Sequence, residues 1–355
     1  MAMGMYDSQS AIEQKKRKRT TLTFIVGVCL LFISMYLNLA IGSSKIQFND
    51  ILSYATGHIG IEQTFLIHNV RMPRMLAGLV IGGALAIAGL LMQSITKNPL
   101  ASPQIFGVNA GASFVIVLIT VLVPFLGSYS TILAIIGAFL GGLTVYTLSG
   151  STKSVTPIKL ALAGIVIHLF FSSMTQGIII LNEDSNDTVM FWLIGSLANI
   201  KWQQITIILP CLLVAVLVTI FMGRQLMIME LGDDIARGLG QRTEIVRMIV
   251  GLLVIILAGV SVSIAGPIGF VGLIVPHIVK RYVSKNYLVM IPLTFIFGAN
   301  LLLISDVLSR LITYPFESPV GIVTSFVGAF YFLFITVRGG NRIWLSKKTV
   351  CDISS

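Results

Sequence analysis

Charged residues are scarce in this sequence, and their spacing makes them the first candidates for chemistry. The densest group spans residues 230–247 and reads ELGDDIARGLGQRTEIVR. An arginine pair, Arg71 and Arg74, lies beside one apolar segment, and Asp306 precedes Arg310 by four residues in another. The four-residue spacing puts Asp306 and Arg310 on one helix face, where an ion pair can orient the arginine. Such groups either hold each other or attract an oppositely charged partner.

Histidines and cysteines offer little further chemistry. His168 in GIVIHLFF and His277 in IVPHIVKR lie inside or at the border of apolar segments. An ionisable group within a membrane is a functional candidate, but a lone histidine can also hydrogen-bond a neighbouring helix, which is our interpretation of His168. The cysteines are too few and too scattered for a disulfide framework, and none forms a Cys-x-x-Cys pair. We predict no metal and no cofactor bound by this chain.

The composition places these residues in a membrane. Of 355 residues, 55% are hydrophobic and 11% are charged, and the mean hydropathy is +0.94. Long apolar stretches of this kind suit lipid rather than water. The formal charge of +10 could suggest nucleic acid, but the basic residues punctuate apolar segments instead of clustering on a face. We therefore exclude nucleic acid as a partner.

Ten apolar segments are candidates for membrane spans. They lie at about 22–42, 75–95, 106–126, 130–149, 159–181, 204–222, 248–265, 268–283, 289–309 and 319–337. Only helices and closed barrels satisfy their backbone in lipid, and these runs lack the two-residue alternation of barrel strands. The segment at 268–283 is short and contains Pro276. The prediction is an all-α polytopic membrane protein with about ten transmembrane helices.

Charge asymmetry orients the spans. A basic run at 15–19 precedes the first segment, whose apolar core exceeds the 7–15 residues of a typical signal peptide. We therefore predict a basic cytoplasmic tail at 1–21, a transmembrane domain at 22–338, a cytoplasmic tail at 339–355 and an acidic outer loop at 182–188. Only five of the 24 Lys and Arg residues then fall outside, as the positive-inside rule requires. These five are Lys45, Arg71, Arg74, Lys201 and Arg310.

The charged cluster falls in the longest predicted cytoplasmic loop, at 224–247. Its pattern favours two short helices, the first ended by Gly238 and Gly240 before Thr243 to Arg247. Asp233, Asp234 and Arg237 would share a polar face, and Ile235 and Leu239 an apolar one. The segment is either a docking element or a solvated connector.

Three long motifs, in order, carry a family resemblance. They are VRMPRMLAGLVIGGALAIAGLLMQSITKNPLASPQIFGVNAGASF at 70–114, LGDDIARGLG at 231–240 and AGPIGFVGLIVPHIVKR at 265–281, and SDVLSR at 305–310 with ESPVGIVTSFVGAFYF at 317–332 fits as well. The sequence closely resembles the iron-siderophore and vitamin B12 importer permeases known as the FecCD family.

The resemblance implies a type II ABC importer permease fold with ten helices in each of two subunits. The implied partners are an ABC ATPase dimer, a second permease subunit that is identical or paralogous, and an extracytoplasmic substrate-binding protein. The implied location is the bacterial cytoplasmic membrane, with both termini in the cytoplasm. The sequence lacks a G-x-x-x-x-G-K-[ST] phosphate loop. The chain would thus not be an enzyme, and ATP would be used by the partner ATPase.

Residue roles follow from the resemblance position by position. The ATPase-coupling segment comprises Leu231, Gly232, Asp233, Asp234, Ile235, Arg237, Gly238, Leu239 and Gly240. Binding-protein docking falls to Arg71, Arg74 and Arg310, although arginines near helix ends also snorkel to the interface without a partner. Structural or gating roles fall to Asn98, Pro99, Pro267, Pro276, His277 and Asp306.

The predicted function is ATP-driven uptake of an iron(III)-siderophore, for which a hydroxamate chelate is one candidate. Vitamin B12 or haem import by the same mechanism is the alternative within the family. An ion-coupled secondary transporter would carry buried carboxylates near the bilayer midplane, whereas the predicted spans contain only Asp306, close to an end. A membrane anchor or channel would leave the cytoplasmic segment unexplained.

Overall fold

A computed structural model describes residues 2–42, 46–56, 60–150, 157–182, 186–283, 286–314 and 316–351. These residues form helices joined by short connections. The helices are α1 (Ala2–Ala40), α2 (Phe48–Thr56), α3 (Ile61–Phe65), α4 (Met72–Thr96), α5 (Val108–Leu122), α6 (Ser130–Leu148), α7 (Pro157–Leu181), α8 (Asn186–Ile194), α9 (Trp202–Phe221), α10 (Gly223–Glu230), α11 (Asp233–Gly238), α12 (Thr243–Ala265), α13 (Val271–Tyr282), α14 (Tyr287–Ile312) and α15 (Val320–Cys351).

The ten predicted spans each coincide with a helix, but their lengths differ. Within the described residues, seven helical segments are long and apolar enough to cross a membrane: Arg17–Ala40, Ile61–Thr96, Pro124–Leu148, Ile158–Leu181, Trp202–Phe221, Thr243–Ala265 and Tyr287–Ile312. The three other predicted spans correspond to α5, α13 and the apolar part of α15, Val320–Ile335, which are shorter. The all-α membrane class is confirmed, and the count of ten is met only approximately.

Helix α4 is the centre of the bundle. It packs against α12, α13 and α14, and nearly all of its residues are buried. Two close backbone contacts require glycine. A Cβ atom on Gly82 would lie 2.5 Å from the carbonyl oxygen of Gly298 in α14, and one on Gly89 would lie 1.8 Å from that of Gly272 in α13. Small residues therefore let the backbone of α4 approach these neighbours closely.

Pro73 lies within a continuous helical stretch of the chain. It lies in the first turn of α4, where its missing N–H needs no partner, yet a π-helical turn, Leu66–Arg71, connects α4 to α3. The amide of Met72 bonds to the carbonyl of Ile67, five residues earlier. The wider turn keeps the chain helical in front of the proline.

The chain is interrupted between α4 and α5, at 97–107, and between α12 and α13, at 266–270. With 15 residues, α5 is about 22 Å long, and α13 with 12 residues is about 18 Å, both less than the hydrocarbon thickness of about 30 Å. A Cβ atom on Gly164, the eighth residue of α7, would lie 1.7 Å from the carbonyl oxygen of Ile105. The 3₁₀ turn at Pro103–Phe106 thus packs beside the interior of α7.

The predicted terminal tails belong largely to helices. Helix α1 begins at Ala2 and includes the basic run, and α15 continues to Cys351. Residues 183–185 of the predicted acidic loop and residues 284–285 of a predicted cytoplasmic loop lie outside the described residues.

Candidate functional site

The predicted coupling segment forms two short helices in front of α12. Helix α11 matches the first short helix expected from the sequence, and α10 precedes it. The second expected helix, Thr243 to Arg247, is instead the first part of the long helix α12.

The apolar side of this segment is open to solvent. Leu231, Ile235 and Leu239 are 58%, 55% and 64% exposed, while Ala236 on the other side of α11 is fully buried. Three large aliphatic side chains grouped in the segment between α9 and α12 form an apolar surface of the kind that marks a protein interaction site. The arrangement suits a rigid element that seats in a groove of a partner.

The charged residues of the segment are mostly engaged within the chain. Asp233 accepts from Lys97 Nζ at 2.8 Å and from Arg247 Nη2 at 2.6 Å. Burial raises the pKa of Asp233, but these two hydrogen bonds outweigh it and hold the pKa below its ordinary value. Arg237 donates to Glu244 at 2.6 Å. Asp234 is exposed and has no ion pair in the described part of the chain. Of the three charged residues predicted to contact a partner, it is therefore the one that is not already paired.

Asp233 also links the segment to the bundle. Lys97 is the left-handed residue that ends α4, with φ of 51°, and Arg247 lies in the first two turns of α12. A displacement of α11 would therefore pull on both the central helix and α12 through a single carboxylate.

Glycine fixes both ends of α11. Gly232 precedes it with φ of 116° and ψ of 152°, a conformation that is essentially restricted to glycine. At the other end Gly240, with φ of 81°, donates to the carbonyl of Arg237, and Gln241 donates to that of Ala236, which is the Schellman pattern. Gly238 is the last residue of α11 and has no positive φ. Gly240 is therefore the left-handed residue that follows α11.

At the opposite end of the bundle, two of the predicted docking arginines cap a helix. Arg71 Nη1 donates to the carbonyls of Leu39 and Ala40, and Arg310 Nη1 donates to those of Asn38 and Ile41 at 3.1 and 2.7 Å. The last carbonyls of a helix lack partners within it, and cations are favoured there. Both arginines are about 5% exposed and hold the end of α1.

The third arginine belongs to a buried ion-pair network. Asp306 is fully buried and accepts from Arg74, at 2.9 Å from Nη2, and from Arg310. Asn38 donates to the same carboxylate at 3.0 Å, and Arg74 also pairs with Glu317 at 2.6 Å. The ion pair expected from the spacing of Asp306 and Arg310 is present. Sequence reasoning missed Asn38 and Glu317 because neither lies in a charged motif.

The network joins α1, α4 and α14 and leaves little guanidinium surface outside. Among the described residues it brings together three arginines and two carboxylates, so a positive excess remains at this end of the bundle. The docking role of Arg71, Arg74 and Arg310 stays a prediction.

The predicted gating residues do not form one site. Asn98 Oδ1 accepts from the amide of Leu100 at 2.9 Å and shapes the turn after α4. Pro267 lies in the second interruption, and Pro276 and His277 lie in α13. The His277 ring packs edge-on against Tyr331 with centroids 6.1 Å apart, and Asp306 belongs to the arginine network.

Long apolar helices packed around a glycine-rich centre are the architecture of a multi-pass membrane protein. The chain belongs to the FecCD transport family, whose sequence pattern matches residues 30–338. The predicted resemblance is confirmed.

Named relatives agree with this assignment. The chain is 44% identical to the Fe(3+)-citrate import system permease protein YfmD of Bacillus subtilis, over 92% of this chain and 98% of that protein. It is 36% identical to the iron(3+)-hydroxamate import system permease protein FhuB of the same organism, over 89% and 83%. It also matches an inward-facing structure of a transporter assigned to the metal-chelate ABC type, with a TM-score of 0.80, 28% identity, and coverage of 90% and 99%.

Proposed function

We propose that this chain is the membrane-spanning subunit of an ATP-driven importer of iron(III) chelates. The exposed apolar side of α11, in a chain of the FecCD family, is the observation that carries the proposal. An ATPase on the cytoplasmic side would cover Leu231, Ile235 and Leu239. Its movement would reach α4 and α12 through Asp233, because that carboxylate binds both Lys97 and Arg247.

The substrate class is supported by the relatives. YfmD and FhuB are named for citrate and hydroxamate chelates, which differ in charge and donor groups but share octahedral ferric iron. Ferric citrate is the first ligand to test, and the hydroxamate chelate stays a prediction. Vitamin B12 and haem are the alternatives.

An ion-coupled mechanism is disfavoured by the arginine network. Asp306 is paired with two arginines and Asn38, so its charge is already balanced. A proton or sodium site instead needs a carboxylate that exchanges its partner during transport.

A substrate test follows from this proposal. The complex of this chain with its second permease, ATPase and binding protein would be reconstituted in vesicles that contain ATP. Radiolabelled ferric citrate should accumulate, and unlabelled chelates, vitamin B12 or haem would be added as competitors. Competition by vitamin B12 or haem, but by neither citrate nor hydroxamate chelates, would overturn the substrate assignment.

We further propose that the arginine network steers an acidic surface of the binding protein to the outer face. Because the guanidinium groups are buried, their effect would come from the excess charge, and rim charges act mainly on association rates. Arg71→Gln should slow association by about threefold or more at low salt, and the effect should shrink as salt rises. Lys201→Gln, which removes an isolated outer charge, is the matched control and should change the rate less. Equal effects of the two variants would identify the arginines as structural only.

A further inference from the structure

A cavity of about 280 Å³, lined by polar and apolar side chains, lies where the two chain interruptions meet. The first interruption contributes Gln104, from the 3₁₀ turn, and the second contributes Pro267. Helix α5 adds Asn109 and Ser113, and α7 closes the cavity on the other side. The α7 residues are His168, Ser172, Thr175, Gln176 and Ile179.

The position of the cavity points to transport rather than to a packing defect. Non-helical backbone at membrane depth is tolerated only where protein covers it or where it lines a water-filled cavity. In transporters built from interrupted helices, the breaks mark the substrate site. Here both breaks contribute to one cavity, beside the interior of α7.

Two buried polar side chains face the cavity without using their hydrogen-bonding capacity. Asn109 and Ser113 are each 8% exposed. In the ranges that the structure describes, neither the Asn109 amide nor the Ser113 hydroxyl has a hydrogen-bond partner. Both side chains line the cavity, so water or a ligand inside it can supply the hydrogen bonds that the protein does not. By contrast, Thr175 already donates to the carbonyl of Phe171 at 2.8 Å.

The chemistry of the lining defines the ligand. Amides, hydroxyls and an imidazole can donate to the oxygen atoms of carboxylate or hydroxamate groups, and the described residues that line the cavity include no charged side chain. Neutral donors bind an oxygen-rich chelate weakly enough for it to leave, which conduction requires. Fixed charges would hold an anionic chelate too tightly.

We propose that this cavity is a contact site for the oxygen-rich shell of the iron chelate during its passage, with Asn109 and Gln176 as donors. The inference rests on the proposed function. A volume of about 280 Å³ is below the usual range for a complete small-molecule site, about 300–1,000 Å³. Gln176 and His168 are exposed on the open side of α7. Each permease subunit would therefore hold one side of the chelate, and the second subunit would complete the site.

The test changes the charge of the cavity and measures whether the uptake rate of the chelate changes with it. Gln176 is exposed and tolerates Gln176→Glu and Gln176→Lys, whereas Asn109→Leu removes the buried donor. Uptake of labelled ferric citrate and of the cationic ferric chelate of desferrioxamine B would be measured with the complete reconstituted complex. The variants would then be compared on each chelate that the wild type carries. Gln203→Glu and Gln203→Lys, on an exposed glutamine of α9 that does not line the cavity, are matched controls.

For ferric citrate, Gln176→Glu should lower the initial uptake rate by at least about tenfold, because a like charge at contact distance is strongly repulsive in a cavity. Gln176→Lys should lower it less than Gln176→Glu does, and the order of the two variants should reverse for the cationic chelate. Asn109→Leu should lower uptake of either chelate by about tenfold while ATP hydrolysis persists.

The outcomes separate the two proposals. If the wild type carries a chelate and the Gln176 variants match the Gln203 variants, the cavity is not a contact site and the transport function stands. If the wild type carries no ferric chelate, the proposed function fails and this inference fails with it.

Discussion

The two ends of α11 allow a sharp test of how the coupling segment is built. Gly232 has φ of 116° and ψ of 152°, whereas Gly238 lies within the helix with ordinary dihedrals. A Cβ atom added at either position would meet no atom within 4 Å. Alanine at these two sites therefore differs only in what the backbone tolerates.

The two substitutions should change the stability of α11 in opposite directions. Gly232→Ala forces a non-glycine residue into a glycine-only region, at a cost of about 1–3 kcal/mol. Gly238→Ala removes a glycine from a helix and should stabilise it by about 0.5 kcal/mol. The difference of about 1.5–3.5 kcal/mol corresponds to roughly ten- to several-hundredfold in the population of detached α11.

Hydrogen exchange measures this population directly. The amides of Ala236 and Leu239 donate to the carbonyls of Gly232 and Ile235 and are protected while α11 is formed. In purified protein, both amides should exchange faster by about tenfold or more in Gly232→Ala, and no faster than wild type in Gly238→Ala. Association with the ATPase should weaken in the same order.

Equal exchange in the two alanine variants would refute the reasoning, because the glycine conformation would then carry no cost. Gly240→Ala provides an internal check. Its φ of 81° lies in the left-handed region, where alanine costs about 1–2 kcal/mol. Its effect should fall between those of the other two.

Further predictions concern the ion pairs. Asp306→Asn removes the carboxylate shared by two buried arginines and should lower the free energy of unfolding by about 3–5 kcal/mol, measured by thermal or denaturant unfolding. Glu317→Gln, at a half-exposed site, should lower it by about 1 kcal/mol or less. Similar losses in the two variants would contradict the network. Because Lys97 and Arg247 lower the pKa of Asp233, its link to α4 and α12 is fully present above the ordinary carboxylate pKa and is lost only as pH falls through the lowered value. The ratio of iron transported to ATP hydrolysed should therefore stay constant across the mildly acidic range in the wild type. Asp233→Asn should reduce this ratio throughout that range. A fall of the wild-type ratio that begins above the ordinary carboxylate pKa would be inconsistent with the link.

Hydropathy predicted the location of the helices but not their lengths. The apolar runs at 106–126 and 268–283 resemble ordinary spans, yet α5 and α13 are short because the chain before each of them is not helical. Residues such as Pro103 and Pro267 allow these breaks, but their depth depends on packing against α4 and α7. Local composition contains no such information.

The arginines show the same limit at the candidate site. The sequence predicts that they lie on the outer side, but their burial depends on the carbonyls at the end of α1, far away in sequence. The coupling segment was more predictable, because its glycines and its apolar spacing act locally. The second short helix, expected at Thr243 to Arg247, is instead the start of α12, because the helix continues without a break into the apolar span.

The energy source of transport is the most direct test of the central claim. The complete complex would be reconstituted with ferric citrate and binding protein outside, ATP inside and ionophores that abolish proton and sodium gradients. We predict that labelled iron accumulates under these conditions, and that it does not accumulate when ATP is replaced by a non-hydrolysable analogue. Iron uptake that requires an ion gradient, and proceeds with this chain alone and no ATPase, would contradict the account.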